Sequence, residues 1–377
     1  MTGGTRSLKA LDFFAGSGLV RLGLEPDFDT VWANDVSEKK ALVHHANFGS
    51  DAFLLRDIQE VRGDSLPAAD LAWASFPCQD LSLAGNLTGM KAGTRSGLFW
   101  EWLRILDEAS QSKRPPRVLV AENVVGFLVA NDGADFRTAY RALRERGYLA
   151  GAVVLDAKRF VPQSRPRAFL VAVKEGLDLR GLVLGGPSEP FHTPSVLRAA
   201  ASVVDPEWLW WSLPIPGVRV PRFSEICERN AASEDVPLRE FQRMLSPINR
   251  QKLETALEVG RLLCGTGYKR TRPVEGGGRR TFLELRFDGV AGCLRTPEGG
   301  SSRQVVVLVE KGRVRTRLLT VRECARLMGA HDSYRVPGTY NDGYRAMGDA
   351  VAVPVTRWLS QHLLLPLAQR RARKRAA

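Results

Sequence analysis

The sequence predicts an α/β protein: one large domain on a mostly parallel sheet with helices on both faces, and a smaller, loop-rich domain after it. Three observations carry this. Short apolar runs alternate with amphipathic helical stretches from Leu8 to about Val173, the rhythm of strands joined by crossover helices. Gly-, Pro- and Arg-rich sequence of weak periodicity follows, and helical patterning returns near Thr320. With 377 residues, 44% of them hydrophobic, the chain can bury a core in each part.

Taken in order, Leu8 to Phe14, Thr30 to Asn34, Asp70 to Phe76, Arg117 to Ala121, Ala150 to Leu155 and Ala168 to Val173 read as strands. Between the third and fourth, Leu98, Phe99, Trp102, Leu103 and Leu106 recur at helical spacing and predict a helix with its apolar stripe on the core. Beyond Val173, Gly185-Gly186-Pro187, Pro214-Ile215-Pro216 and Gly276-Gly277-Gly278 mark loops, and Trp208, Trp210 and Trp211 read as core of the second domain. A helix runs from the N-cap Thr320, with Glu323 completing a capping box, to a stop at Gly329. Another starts near Ala352, and the basic stretch from Arg370 to Arg375 reads as a frayed, solvated terminus. The expected division is residues 1–180, completed by 338–377, for the large domain and 181–337 for the small one.

The charge balance, 54 basic residues against 41 acidic, leaves +13, a field that gathers polyanions and favours nucleic acid as partner. Cys78, Cys227, Cys264, Cys293 and Cys324 are odd in number, far apart and never in a Cys-x-x-Cys arrangement. Neither a disulfide framework nor a metal site is expected, and a reducing cytosol fits. No apolar run reaches the ~20 residues that span a bilayer. The start, Met1 to Arg6, lacks the apolar centre of a signal peptide, so a cytoplasmic, monomeric protein without membrane contact is expected.

The residues that bear chemistry gather at predicted strand ends. Asp12-Phe13-Phe14-Ala15-Gly16-Ser17-Gly18 follows the first strand, where glycines let backbone approach a ligand; with Asp35 about twenty residues on, it suits a dinucleotide as well as an adenosine-type ligand. Asp57, beyond a third short strand, can accept from an adenine amino group, and is equally a surface turn residue. Phe76-Pro77-Cys78-Gln79-Asp80 comes straight after an apolar run, at the edge where open α/β sheets bind ligands; a thiol there gains little from packing and needs a neighbour to become thiolate. Glu122 ends the next strand, and Asn123 can cap a helix. Gln163-Ser164-Arg165-Pro166-Arg167 places two arginines that point the same way in extended chain, able to hold Glu122 or a substrate oxygen.

In this order these residues resemble one family, the C5-cytosine methyltransferases, over nearly the whole chain. Asp12, Phe13, Gly16 and Gly18 resemble its cofactor loop, Asp35 its ribose contact, Asp57 and Ile58 its adenine contacts, and Pro77-Cys78-Gln79 its catalytic motif. Glu122-Asn123-Val124 and Gln163-x-Arg165-x-Arg167 match two further active-site motifs. Arg322 to Gly329 matches a helix of the smaller domain, and Gly348-Asp349-Ala350-Val351 the last motif. The resemblance implies a Rossmann-like S-adenosylmethionine-dependent methyltransferase fold with a target-recognition domain, and DNA (cytosine-5)-methyltransferase activity. Cys78 is then the thiolate that adds to C6, turning the ring into an enamine that takes a methyl group at C5. Glu122 bonds N3 and the exocyclic amine; Arg165, backed by Arg167, binds O2 and holds that carboxyl group. The target base leaves the stack, and Gln79 to Gly97 resembles the mobile loop that closes over it.

In the family the region corresponding to Gly181 to Arg317 reads the DNA. Here Lys269, Arg270 and Arg272, and Ser301, Ser302, Arg303 and Gln304, offer phosphate and base-edge contacts, joined by Ser82, Arg95 and Gln163. Asp349 stands where the family usually has Asn, near the cofactor's methionine end, and Ser75 where Gly is frequent. Duplex DNA is the expected substrate, in restriction-modification with a cognate endonuclease or a related defence. The alternatives are a tRNA cytosine methyltransferase, against which a recognition region of about 135 residues counts, a silent DNA-binding scaffold, and a nicotinamide oxidoreductase.

Overall fold

A computed structural model of the chain describes residues 7–77, 97–273, 277–296 and 303–370. Its contacts divide the chain into two units, one of residues 1–155, 166–216 and 355–377, the other of residues 156–165 and 217–354.

The first unit carries a seven-stranded sheet of β1 (Leu8–Phe13), β2 (Phe28–Asp35), β3 (Phe53–Leu55), β4 (Leu71–Ala74), β5 (Val118–Val124), β6 (Tyr148–Asp156) and β7 (Pro166–Lys174), in the order β3-β2-β1-β4-β5-β7-β6. The first five strands run parallel, and β7 runs antiparallel to β5. Five strands therefore end at one edge, and β7 begins there. The connections are α1 (Leu19–Leu24), α2 (Glu38–Phe48), α3 (Gly97–Ser112) and α4 (Ala134–Glu145). Helix α3 buries Phe99, Trp102, Leu103, Ile105, Leu106 and Ala109, with Leu98 of the expected stripe only partly buried against the same core. The larger of these side chains share that core with Leu11, Phe13, Ala72, Ala74, Leu119 and Ala121 of the sheet. The alternate residues Ala10, Trp73, Val118 and Val120 are equally buried, which is what a sheet covered on both faces requires.

Residues 181–216 also belong to this unit, beyond the expected boundary at 180. They contain β8 (Val183–Leu184), α5 (Pro194–Val203) and β9 (Trp210–Trp211). Leu209 N donates to Ala150 O (2.9 Å), Trp211 Nε1 to Gly151 O (3.0 Å), and Trp208 stacks on Tyr140 at 5.4 Å. The tryptophans are core, as expected, but of the large unit.

The second unit is more regular than its sequence suggested. After α6 (Phe223–Ile226), α7 (Leu238–Arg243) and α8 (Pro247–Glu258) comes an antiparallel sheet, order β11-β10-β12-β13, of β10 (Leu263–Pro273), β11 (Arg279–Arg286), β12 (Val305–Glu310) and β13 (Arg313–Leu318). Leu283, Leu285, Val305, Val307 and Val309 pack with Phe241, Met244 and Leu253 of the helices. Helix α9 (Val321–Leu327) has the expected capping box, with Thr320 and Glu323 bonding each other's backbone N–H, and Gly329 follows at φ +75°. Then α10 (Tyr340–Asp349) leads to α11 (Val353–Leu359) and, through one wider turn, to α12 (Leu365–Gln369). Among the described residues no helix is long and apolar enough to cross a membrane.

Candidate active site

The turn after β1 is held by its neighbour β2. Ala15 N donates to Asn34 O (2.8 Å) and Gly16 N to Asp35 Oδ2 (2.9 Å), while the other Asp35 oxygen accepts Ser37 N (2.9 Å) at the start of α2. Each carboxylate oxygen keeps a second acceptor site, which suits a ribose hydroxyl. Asn34 donates to Leu54 O and Arg56 O (2.8 Å each) and so fixes the segment leading to Asp57. Asp57 is exposed and caps a short turn by accepting Gln59 N (2.9 Å).

The two glycines of the turn have different reasons to be glycine. Gly18 sits at φ +84°, and a Cβ there would lie 2.7 Å from Phe48 Cε2 and 2.8 Å from His44 Cδ2, so close packing of α2 excludes a side chain. Gly16, at φ +55°, has nothing nearer than 3.8 Å, so only its left-handed backbone is demanding. A Cβ there would touch Lys40 and Asp35 only at ordinary van der Waals distance. Val36, next to Asp35, adds an apolar side chain that is 66% exposed. Asp12 is fully buried, and neither carboxylate oxygen has a partner among the described residues. Burial, reinforced by the Asp35 charge and opposed by Arg21, pushes its carboxyl up to about 8.

Two expected cofactor contacts are corrected. Phe13 is wholly buried against Trp32 (4.7 Å) and Trp102 (6.4 Å), because it continues the inward alternation of β1. The next residue, Phe14, is half-buried against the same core at φ +58°, a costly backbone for a bulky side chain. Ile58 is likewise a core side chain, leaving only its backbone for a ligand.

The catalytic edge is built from β4, β5 and β7. Ala74 pairs with Ala121, one residue before Glu122. Phe76 packs on Phe99 and Phe127 (5.5 Å each), and its carbonyl accepts the buried Asn123 Nδ2 (3.1 Å). Asn123 therefore caps no helix: it ties the chain entering the Pro77-Cys78 motif to the strand that carries Glu122. Ser75 accepts Trp73 Nε1 (2.9 Å), giving the indole of a fully buried tryptophan a partner that Gly could not supply. Pro77 is exposed; Cys78, Gln79, Ser82 and Arg95 lie outside the described residues, as do Ser301 and Ser302.

Glu122, nearly buried, forms an ion pair with Arg167 (Nε–Oε1 3.2 Å). In the β5–β7 register Arg167 faces Val124, and Glu122 faces Phe169, so the pair is a diagonal cross-strand contact. Arg165 has partners of its own within the second unit. It precedes Pro166, the first residue of β7, and belongs to the second unit, so the same-side alternation of a strand does not extend to it. There it is 1% exposed, donating to Leu294 O and Gly348 O (2.8 Å each), Ala350 O (2.7 Å) and Cys293 Sγ (3.3 Å).

Gln163, expected at DNA, is fully buried: Nε2 donates to Leu327 O (2.8 Å) and Oε1 accepts Leu294 N (2.9 Å). Gln304 is also buried, with Nε2 on Gly292 O (2.7 Å), so neither amide is presented to a partner. Arg270 and Arg272 are exposed on β10, the latter paired with Glu284, and Lys269 pairs with Glu240. Arg303 bonds Asn341 and lies 5.4 Å over the Tyr340 ring. Asp349 is exposed and accepts from Thr296; Val351 is buried.

Fold and site together define an α/β protein with a glycine turn after its first strand and a largely buried Glu–Arg ion pair at the carboxyl edge of a parallel sheet. The model of the family described as C-5 cytosine-specific DNA methylase matches residues 8–206 and 270–364, and the chain belongs to that family, whose activity is DNA cytosine-C5 methylation. The type II methyltransferase M.HhaI of Haemophilus parahaemolyticus is 26% identical, with 94% of each chain covered. M.Bsp6I of Bacillus sp. (strain RFL6), also a type II methyltransferase, is 32% identical over 44% of this chain and 52% of its own. The DNMT2 structure from Spodoptera frugiperda has TM-score 0.60 at 18% identity, covering 95% of this chain and 99% of that one, and shows the shared fold.

Proposed function

We propose that the chain transfers a methyl group from S-adenosylmethionine to C5 of a cytosine rotated out of duplex DNA, through a covalent bond between Cys78 and C6. The observation that carries this is the Glu122–Arg167 ion pair beside the tether from Asn123 to Phe76, two residues before Cys78. S-adenosylmethionine, when bound, supplies an electrophilic methyl on a sulfonium. By resemblance, Asp35 holds its ribose, Asp57 and the Ile58 backbone its adenine, and Asp349 and the Val351 backbone its methionine end.

Attack by the Cys78 thiolate on C6 pushes electron density to C5, and the charge that spreads into the ring is met by Glu122 at N3 and the exocyclic amine. Arg167 orients Glu122 through the 3.2 Å contact. Once C5 is methylated, loss of its proton expels Cys78. Extracting the base costs a few kcal/mol, for which DNA contacts must compensate.

The second unit offers such contacts. Strand β12 pairs with β10 only over residues 263–267, so Tyr268 to Pro273 with Arg279 to Glu284 continues as a two-stranded ribbon. Arg272 lies opposite Arg280, Arg270 opposite Phe282, and the Arg280 guanidinium sits 5.3 Å over the Phe282 ring. Arg272 is paired with Glu284, so the exposed Arg270 and the Arg280 guanidinium are the charges this ribbon offers to a polyanion. The type II relatives motivate a place in restriction-modification.

The test uses tritiated S-adenosylmethionine with duplex DNA or tRNA, then DNA containing 5-fluorocytosine. Label in DNA is expected, with a trapped adduct that Cys78→Ser does not form. Label in tRNA alone would move the substrate to RNA. Donor bound with no transfer to any DNA would end the catalytic reading.

A further inference from the structure

Arg165 and Arg167 stand two residues apart in one motif, yet their guanidinium groups meet different surroundings. Arg167 reaches the Glu122 carboxylate. Arg165 is among the largest fully buried side chains, and its two terminal nitrogens divide between two segments. Nη1 donates to Leu294 O (2.8 Å) and Cys293 Sγ (3.3 Å); Nη2 donates to Gly348 O (2.8 Å) and Ala350 O (2.7 Å). The two carbonyls gripped by Nη2 flank Asp349. Its backbone is fixed in turn, with Arg165 N donating to Asp156 Oδ1 (2.8 Å).

The segments are also joined directly. Thr296 donates to Asp349, and a Cβ on Gly348 would come within 3.1 Å of the Arg295 carbonyl carbon, so the turn lies flush against residues 295–296. A planar fork with two terminal nitrogens can hold all four acceptors at once; an ammonium, with three donors on one nitrogen, cannot.

We propose that Arg165 is a positioning residue for the methyl donor: it locks the Gly348–Ala350 turn so that Asp349 is presented in one geometry. This rests on the assignment of that turn to the donor made above. Loss of the fork is expected to loosen the turn and weaken donor binding by about tenfold or more, the scale of small misplacements at a binding site.

The experiment compares Arg165→Lys and Arg167→Lys with the unaltered full chain. Calorimetry gives the S-adenosylmethionine Kd without DNA, and steady-state kinetics gives KM for the donor and kcat. Arg165→Lys is expected to raise Kd and KM together, with kcat largely recovered at saturating donor. Arg167→Lys is expected to keep Kd within about twofold and lose kcat. Thermal unfolding with and without donor guards against a folding defect: a folded Arg165→Lys protein shows a reduced donor-induced shift in Tm. Unchanged Kd with lost kcat in Arg165→Lys would overturn the proposal and return Arg165 to the base. Failure of the unaltered chain to bind the donor would instead sink the functional reading beneath it.

Discussion

Replacing Arg167 with Met leaves the Glu122 carboxylate in the sheet without the charge that faces it. At the observed 3.2 Å, two unit charges attract by about 5 kcal/mol at an effective dielectric of 20. Side-chain exposures of 16% for Arg167 and 7% for Glu122 place the pair between surface bridges, worth under about 1 kcal/mol, and buried ones, where loss of one partner costs about 3–5 kcal/mol. A loss of about 2–4 kcal/mol is therefore expected for Arg167→Met, and a smaller one for Glu122→Gln, which keeps an acceptor. In Glu122→Gln with Arg167→Met no uncompensated charge remains, so the double variant is expected to lose less than the two singles added, by about 2 kcal/mol. Urea denaturation of all four proteins at neutral pH and low salt reads the cycle without DNA or donor, so it is independent of catalysis. Additivity within about 0.5 kcal/mol would show that the charges do not stabilise each other and refute the orienting role given to Arg167.

Asp12→Asn tests the buried acid. A carboxyl raised to about 8 in the folded protein, from an ordinary 3.8, contributes stability present below the lower value and lost as pH climbs through the upper one. His44, lowered to about 3 by burial first and then by Arg21, stays neutral across that upper range. The unaltered protein is expected to lose urea resistance relative to Asp12→Asn between pH 6 and 9; a constant gap would show that Asp12 ionises normally. Gly18→Ala is expected to cost about 2–5 kcal/mol from left-handed strain plus the clash with Phe48 and His44. Gly16→Ala should cost about 1–2 kcal/mol from strain alone, and equal midpoints for the two would contradict the distinct reasons given for them. Asn123→Ala, which removes the bond to Phe76 O, should cost about 1–3 kcal/mol and lower kcat with donor affinity intact. Weakened donor affinity there would put Asn123 in the wrong role.

Much of the fold was legible because its signals are local. The stripe on α3 and the capping box on α9 need only spacing and residue type, and both formed as read. What failed to show was pairing between distant segments. Strands β10 and β11 are rich in Gly, Thr, Lys and Arg with few apolar residues, and their register with each other reveals the sheet. Residues 181–216 look like the loop-rich sequence after them, and only the bonds from Leu209 and Trp211 to Ala150 and Gly151 assign them to the large unit.

The site divided along the same line. Asp35, Asp57 and Glu122 stand at or just beyond strand ends, where position along the chain is position at the edge, so their placement is legible in the sequence. Phe13 is expected at the ligand but is turned into the core, because the inward alternation of β1 gives way to the left-handed turn only at Phe14. Arg165 and Arg167 were joined for a similar reason: alternation puts i and i+2 on one side only inside a strand, and β7 begins between them, at Pro166. A proline in that place lacks the N–H that would extend the ladder, so the strand starts there and frees Arg165 to enter the carbonyl cluster around Leu294 and Gly348. On this argument the three-residue run Arg165-Pro166-Arg167 gives one arginine to the acid and the other to the Gly348–Ala350 turn, and the proline between them makes the division.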